Sequence, residues 1–403
     1  MIALKENVYL VNGATNAAIY DFNKNCLYSI SQEAKRLLNS VLYKDTEAKL
    51  NEYEKKYLQE LLSKNIIQNE DRPLHTIDEL KENPVIDFVW IELTTACNLK
   101  CIHCYDESTC NRTEFLEFDD FCTIINQIED LGIKKIQLIG GEPFFLGDKL
   151  VKYLDYVKEK FEYIEIFTNG TLIDDKWYTY LKENNIRLAL SVYSYNKEYH
   201  DKVTNVLGSW QKTNEVISKI EENGIRYRVR NVIMKDVEIG EKNTNLYELS
   251  HKKDIVRMTG RANMNLLSDE LLKRKLITRS TFSGYLNKNF VTRLISGHNC
   301  FSRRLYFGAD LEVYPCVMER RISHGSLKKQ TLKEVLNNDI LNIQKDKIEG
   351  CKDCEFRYCC FDCRPNSLGK DVLSKPWYCT YNPHNGEWED IDDFIKHLKN
   401  NED

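Results

Sequence analysis

The chain has 403 residues, 42% of them hydrophobic and 30% charged, with a formal net charge of −5. That length suits two or three domains with a sizeable core, and the charge gives no reason to expect a nucleic-acid partner. No apolar stretch reaches the roughly 18 residues of a membrane span, and Met1–Glu6 starts no signal peptide, so a cytoplasmic protein with no membrane partner is expected. Fourteen cysteines in that setting point to metal and not to disulfides.

Residues 1–70 read as a small α+β domain. Val8–Val11, Thr15–Asp21 and Cys26–Tyr28 are strand-like runs, parted by turns at Asn12-Gly13 and Asn23-Lys24-Asn25. A helix follows with Ile30, Ala34, Leu37, Leu38, Val41 and Leu42 at helical spacing, and Ser29 with Gln32 fits its capping box. A second helix places Leu50, Tyr53, Tyr57, Leu58, Leu61 and Leu62 on one face. The polar run Asn69–Pro73 and Pro84 mark residues 71–84 as a linker.

From Val85 to about Met258, strands and helices alternate, which argues for a parallel sheet with crossover helices. The strands fall at 85–94, 134–139, 162–168, 186–193, 226–234 and 254–258. Helices are bounded by Asp119 and Gly132, Asp148 and Phe161, Asp174 and Asn185, and Ser209 and Gly224. Residues 261–297 bridge to a cysteine-rich stretch at 298–380. Residues 381–403 carry Trp388, Ile391, Phe394, Ile395 and Leu398 at helical spacing, a terminal helix expected to pack on the barrel.

The chemistry lies at strand ends. Cys97, Cys101 and Cys104 form a CxxxCxxC triplet on the loop leaving the first strand. Three thiolates are one too few to close a four-iron cluster, so one iron is left open to bind and reduce a partner. Zinc would take paired CxxC arms and a nearby fourth ligand. Gly140-Gly141-Glu142-Pro143 follows the second strand, Thr168-Asn169-Gly170 ends the third, and Ser191 lies in the fourth. Arg230 in the fifth shares a strand face with Arg228, its competitor for an anion. A Gly-Gly turn after a strand is common, and each of these polar residues has an ordinary turn or surface reading beside the functional one. In α/β barrels, though, chemistry sits at these C-terminal strand ends.

The triplet followed by GGEP resembles the radical S-adenosylmethionine (radical SAM) superfamily. The resemblance implies an α/β fold, a partial (β/α)6 TIM-type barrel open on one side. It implies a [4Fe-4S] cluster on Cys97, Cys101 and Cys104, with Gly140, Gly141, Glu142 and Pro143 at the amino group of S-adenosylmethionine. Thr168, Asn169, Ser191 and Arg230 would lie near its ribose and carboxylate, and His103 against adenine, with Tyr105 beside it. One electron then cleaves the sulfonium, and the 5′-deoxyadenosyl radical abstracts hydrogen from the substrate.

Cys300, Cys316, Cys351, Cys354, Cys359, Cys360, Cys363 and Cys379 resemble the SPASM extension of peptide-modifying radical SAM enzymes, with a zinc ribbon as the competing reading. Leu311 stands where that family has glycine in the hairpin before Cys316. By analogy Cys351, Cys354, Cys360 (or Cys359) and Cys379 close one auxiliary cluster. Cys300, Cys316 and Cys363 hold another, for three [4Fe-4S] clusters in all. Its fourth position is open or taken by His298. Glu319 and Asp310 are candidate acid–base groups. Residues 1–70 resemble the PqqD-like winged-helix element that binds the leader of a ribosomally made precursor peptide by strand addition. A flavodoxin or ferredoxin would supply electrons. The implied reaction is a peptide cross-link, with a thioether favoured by the open auxiliary iron; carbon–carbon or carbon–oxygen links and epimerisation are alternatives. A sulfatase-maturing enzyme is the rival, although Val317 occupies its usual carboxylate position. Outside catalysis, a peptide-binding electron relay is the remaining reading.

Overall fold

The structure, a computed structural model, describes residues 2–43, 50–70, 73–252, 254–366 and 371–400. The chain divides into two compact units, one of residues 1–84, 276–302 and 342–403, the other of 85–275 and 303–341.

In the first unit, β1 (Ile2–Leu4), β2 (Val8–Asn12), β3 (Ala17–Asp21) and β4 (Cys26–Ile30) precede α1 (Gln32–Leu42), α2 (Glu52–Ser63) and β5 (Ile67–Asn69). β2, β3 and β4 form an antiparallel sheet in that order, and β1 pairs with β5. Ile19, Leu38, Leu58 and Leu61 fill the core between sheet and helices. The cap of α1 is Ser31, whose hydroxyl accepts from Ala34 N, and not the expected Ser29. Ser29 is held in β4 opposite Ala18, so the chain cannot turn into a helix until the ladder ends. Tyr53, expected on the apolar face of α2, is 87% exposed. A 3-10 turn at Ile77–Leu80 buries Ile77 beside Tyr9 and Val11.

The second unit is built on a parallel sheet. In chain order it runs β6 (Phe88–Thr94), α3 (Phe118–Asp130), β7 (Lys135–Gly140), α4 (Lys149–Val157), β8 (Tyr163–Thr168), α5 (Asp175–Glu183), β9 (Arg187–Ser191), α6 (Lys197–Thr204), α7 (Ser209–Glu222), β10 (Tyr227–Arg230) and α8 (Asp269–Lys275). Apolar side chains alternate with turns because both faces of a parallel sheet are covered; Val89, Ile91, Ile136, Leu138, Ile166 and Leu188 are all buried. Helix α6 went unread because its eight residues bury only His200, Val203 and Thr204, too short for a periodic signal.

The expected strand at 254–258 is absent, leaving one isolated bridge, Ile233 to Ile255. Asp254 adopts φ +56°, a left-handed turn that breaks an extended run before it can pair. The sixth parallel strand comes instead from beyond Cys300. After α9 (Lys288–Ser296), which returns to the first unit, β11 (Arg304–Phe307) adds to β6 on the opposite side of the sheet. The parallel order is thus β10-β9-β8-β7-β6-β11, extended antiparallel by β12 (Glu312–Tyr314) and β13 (Gly325–Ser326). Leu311, in the β11–β12 turn, has φ +69°, so the backbone keeps the conformation that glycine would favour.

A short α10 (Leu332–Val335) closes this unit. The first then resumes with the cysteine-rich segment, the hairpin β14 (Tyr381–Asn382) and β15 (Glu387–Trp388), and α11 (Ile391–Asn400). Helix α11 falls within the residues of the first unit. Among the described residues no helix is long and apolar enough to cross a membrane.

Candidate active site

The strand ends of the second unit surround a cavity of about 190 Å³. Its wall holds Cys97, Cys101 and Cys104, and with them His103, Tyr105, Gly140, Gly141, Thr168, Asn169, Ser191 and Arg230. Residues from Cys97 to Arg230 meet here because five consecutive parallel strands, β6 to β10, end on one side.

The glycine pair is dictated by a close approach. A Cβ on Gly141 would lie 2.1 Å from Ala96 O, and one on Gly140 2.2 Å from Thr94 O. Without side chains, Gly141 N donates to Thr94 O (2.7 Å) and Glu142 N to Ala96 O (2.8 Å), which pins the backbone entering the triplet. Glu142 and Pro143 stand behind the wall. The fully buried Glu142 carboxylate accepts from Phe144 N (3.1 Å), Thr168 Oγ1 (2.7 Å) and Asn169 N (2.8 Å), joining the ends of β7 and β8. Burial pushes its pKa up to about 7. The part of this motif that faces the cavity is glycine backbone and not the carboxylate expected from the sequence.

Asn169 is fixed from several sides. Its Nδ2 donates to Asn98 Oδ1 (3.0 Å) and lies 3.9 Å from Cys97 Sγ, and its Oδ1 accepts from Thr171 N and Oγ1. Asn98 in turn donates to Thr171 Oγ1 (2.8 Å). Asn98 and Thr171 were not anticipated, although each adjoins a motif residue. The competition between arginines is settled by the sheet. Arg228 makes a two-pronged ion pair with the buried Glu165, Nε to Oε1 at 2.8 Å and Nη2 to Oε2 at 2.6 Å, whereas Arg230 lines the cavity.

Two of the thiols, Cys97 and Cys101, resist ionisation in this environment. Burial, with Glu142 and the neighbouring thiols, raises Cys97 far above an ordinary cysteine, and burial pushes Cys101 up to about 12. Only a bound cationic metal centre would compensate three thiolates here. Yet no three His, Cys, Asp or Glu side chains among the described residues converge tightly enough for a single ion. The three thiols line one space together, as a shared cluster would require.

His103 meets Tyr193 edge-on at 4.9 Å, and its buried Nδ1 has no hydrogen-bond partner. Burial and Arg261 lower its pKa to about 4, so the imidazole is neutral. The Tyr105 hydroxyl is likewise buried without a partner. Sequence reasoning missed the segment Val256–Arg261, only the first part of which, to Met258, reads as strand. Gly260 passes so close that a Cβ would lie 2.3 Å from Cys104 O, and Arg261 donates to Cys101 O (2.8 Å) and Ser108 O (3.0 Å). Nor are Glu319 and Asp310 poised as acid–base groups. Glu319 is buried in an ion pair with Arg321 (2.6 Å), and Asp310 Oδ1 accepts from Glu312 N (3.1 Å). The perturbed carboxylate nearby is Glu92, raised to about 7 by burial and Asp106, with Arg320 at 3.9 Å.

In the first unit, Cys351, Cys354, Cys360 and Cys379 line one small cavity, together with Lys345. Cys359 lies apart from it; its thiol is within 3.4 Å of the Tyr20 hydroxyl and of Phe356 O. Cys300 accepts from Arg364 N (3.4 Å), Cys363 N donates to Tyr378 Oη (2.8 Å), and Cys316 lies in the second unit, just beyond β12. His298 is not available as a ligand. Its Nε2 is 2.8 Å from Asp362 Oδ1, and its Nδ1 accepts from Cys300 N at 3.0 Å.

Comparison with known proteins agrees with this geometry. Residues 91–243 match the Radical SAM superfamily and residues 300–355 an iron-sulfur cluster-binding domain, SPASM. The chain is 33% identical over 174 residues to the antilisterial bacteriocin subtilosin biosynthesis protein AlbA of Bacillus subtilis (strain 168), covering 42% of this chain and 39% of AlbA. It is 25% identical over 331 residues to a cysteine-type anaerobic sulfatase-maturating enzyme of Clostridium novyi (strain NT), covering 67% and 85% respectively. The first relatives are matched over only part of their own length, 39% of AlbA and 53% of a GTP 3′,8-cyclase of Clostridium perfringens. Among solved structures, anSMEcpe with bound AdoMet superposes with TM-score 0.54 at 18% identity, over 78% of this chain and 98% of that one. Streptococcus suis SuiB bound to the precursor peptide SuiA superposes with TM-score 0.52 at 14% identity, over 93% and 99%. The chain thus carries a Radical SAM superfamily domain at residues 91–243, with the α/β fold of that superfamily, and an iron–sulfur cluster-binding SPASM domain at residues 300–355.

Proposed function

We propose that this protein installs a cross-link, a thioether by preference, in a ribosomally made precursor peptide in the cytoplasm. The observation that carries the reading is the meeting of three thiols, the bare Gly140–Gly141 backbone and Arg230 on one cavity of the second unit, while the first unit holds a four-cysteine cavity of its own. The likeness to AlbA, a bacteriocin biosynthesis protein, supports a peptide as the substrate class. Cys97, Cys101 and Cys104 would hold a four-iron cluster, and bound S-adenosylmethionine supplies a carbon radical that abstracts hydrogen from the peptide.

The chain's own residues bind, orient and exclude water. Gly140 and Gly141 let backbone approach the ammonium end of the cofactor, and Arg230 offers a cation to its carboxylate. Thr168 and Asn169, locked by Glu142 and Asn98, present a polar edge of fixed geometry. The neutral His103 ring and Tyr105 form the adenine side. Val232, Val256 and Met318 contribute apolar wall that keeps water away. Cys351, Cys354, Cys360 and Cys379 would close a second cluster, other cysteines of the SPASM stretch would hold a third, and a flavodoxin or ferredoxin would supply electrons.

In the first unit the sheet β2-β3-β4 with α1 and α2 would serve as the leader-binding module. β3 is internal, and β4 is the edge with half-buried Cys26–Tyr28, open to an added peptide strand. Co-expression with a cysteine-bearing precursor should yield a peptide lighter by about two hydrogens (roughly 2 Da), with the link located by tandem mass spectrometry. A product carrying formylglycine in place of a serine or cysteine of a sulfatase-type substrate would favour the second reading. That alternative draws on the longer match to the sulfatase-maturating enzyme.

A further inference from the structure

Four ionisable residues of the first unit meet where no solvent reaches. Lys345, His298, Asp362 and Arg364 are each fully buried. Asp362 Oδ1 lies 2.6 Å from Lys345 Nζ and 2.8 Å from His298 Nε2, while Asp362 Oδ2 accepts from Arg364 Nη2. His298 is neutral in this arrangement: burial lowers its pKa, and its Nδ1 accepts from Cys300 N, so the ring proton is on Nε2 and points at the carboxylate.

Two cations therefore share one carboxylate. A buried ammonium costs several kcal/mol unless it is compensated, and one arginine would already neutralise Asp362. The excess positive charge faces sulfur. Lys345 lines the same cavity as Cys351, Cys354, Cys360 and Cys379.

We propose that Lys345 is the built-in counter-charge of that four-cysteine site and holds the reduction potential of its iron–sulfur cluster above the value it would otherwise have. This rests on reading the four cysteines as cluster ligands. A fixed cation in a medium of low dielectric stabilises the form with one more electron, and charge and hydrogen bonds at the sulfurs are established levers on cluster potential. Asp362, anchored by His298 and Arg364, holds the lysine in place.

The test uses the full chain carrying Cys97→Ala, Cys101→Ala and Cys104→Ala, reconstituted anaerobically and titrated by electron paramagnetic resonance. The signal followed is the one that Cys360→Ala abolishes. Lys345→Met should lower the reduced-to-oxidised ratio at a fixed potential about tenfold or more, a midpoint drop of about 59 mV for one electron. Lys345→Arg should stay within about threefold of the parent. An unmoved midpoint in Lys345→Met with undiminished iron overturns the proposal. If Lys345→Met leaves the site empty of iron and Lys345→Arg fills it, the requirement for charge stands. Loss of iron in both variants, or an iron-free Lys345→Met already unfolded by circular dichroism, would make the lysine a packing element and refute it. Absence of any Cys360-dependent signal in the parent would instead bring down the cluster assignment, and the lysine's role with it.

Discussion

Adjacent cysteines offer a sharp test of the auxiliary site. Cys360 shares a cavity with Cys351, Cys354 and Cys379, whereas the Cys359 thiol is directed to the Tyr20 hydroxyl and Phe356 O, each at 3.4 Å. In the proposed three-cluster protein, about 12 irons bind per chain, and alanine at Cys97, Cys101 and Cys104 leaves about 8. On that background Cys360→Ala should fall towards about 4 irons, because it removes one of the four thiolates that close this site and puts no ligand in its place. Cys359→Ala should keep about 8 and lose only one weak hydrogen bond and a little packing, about 1 kcal/mol of stability. Iron and sulfide quantification reads the first effect and urea unfolding the second. Retention of iron in Cys360→Ala with loss in Cys359→Ala would refute the cavity-based assignment.

Arg228→Gln strips a buried carboxylate of its partner, which ordinarily costs about 3–5 kcal/mol. The Arg228 side chain is 37% exposed and Gln137 and Tyr163 still donate to Glu165, so a loss of about 2 kcal/mol in urea unfolding is expected. Arg230→Gln should leave stability unchanged and weaken S-adenosylmethionine binding about tenfold by calorimetry; the reverse pattern would exchange their roles. Leu311→Gly should stabilise the barrel unit by about 1 kcal/mol, since leucine pays for a left-handed φ that glycine adopts freely; a lower unfolding midpoint would contradict this. His200 is 1% exposed, accepts from Tyr193 N at 3.3 Å, and has its pKa lowered to about 4. Unfolded chains bind its proton below about pH 6.5 and the native state does not, so stability falls as pH drops from about 6.5 to 4, by roughly 3 kcal/mol. His200→Asn should flatten that decline, and an unaltered pH profile would assign it to other groups.

Spacing alone carried the triplet, the GGEP turn and the strand ends at Thr168 and Ser191, because each is a local pattern on a strand whose apolar run sets its length. Those features sufficed to bring the cysteines, the glycine pair, Thr168 and Ser191 onto one cavity wall. What spacing could not carry were choices made between elements. Arg228 and Arg230 share a strand face, and only the register of β8, β9 and β10 gives Arg228 to Glu165 and leaves Arg230 at the cavity. The missing sixth strand followed the same logic: β11 joins β6 across more than 200 residues, while Asp254 breaks the nearer candidate. Cys359 and Cys360 are indistinguishable by pattern until the packing of Tyr20 claims one thiol. Lys345 looks in sequence like any surface lysine, and only the tertiary fold buries it against Asp362 and sulfur, because burial of a charge depends on neighbours that no local window contains.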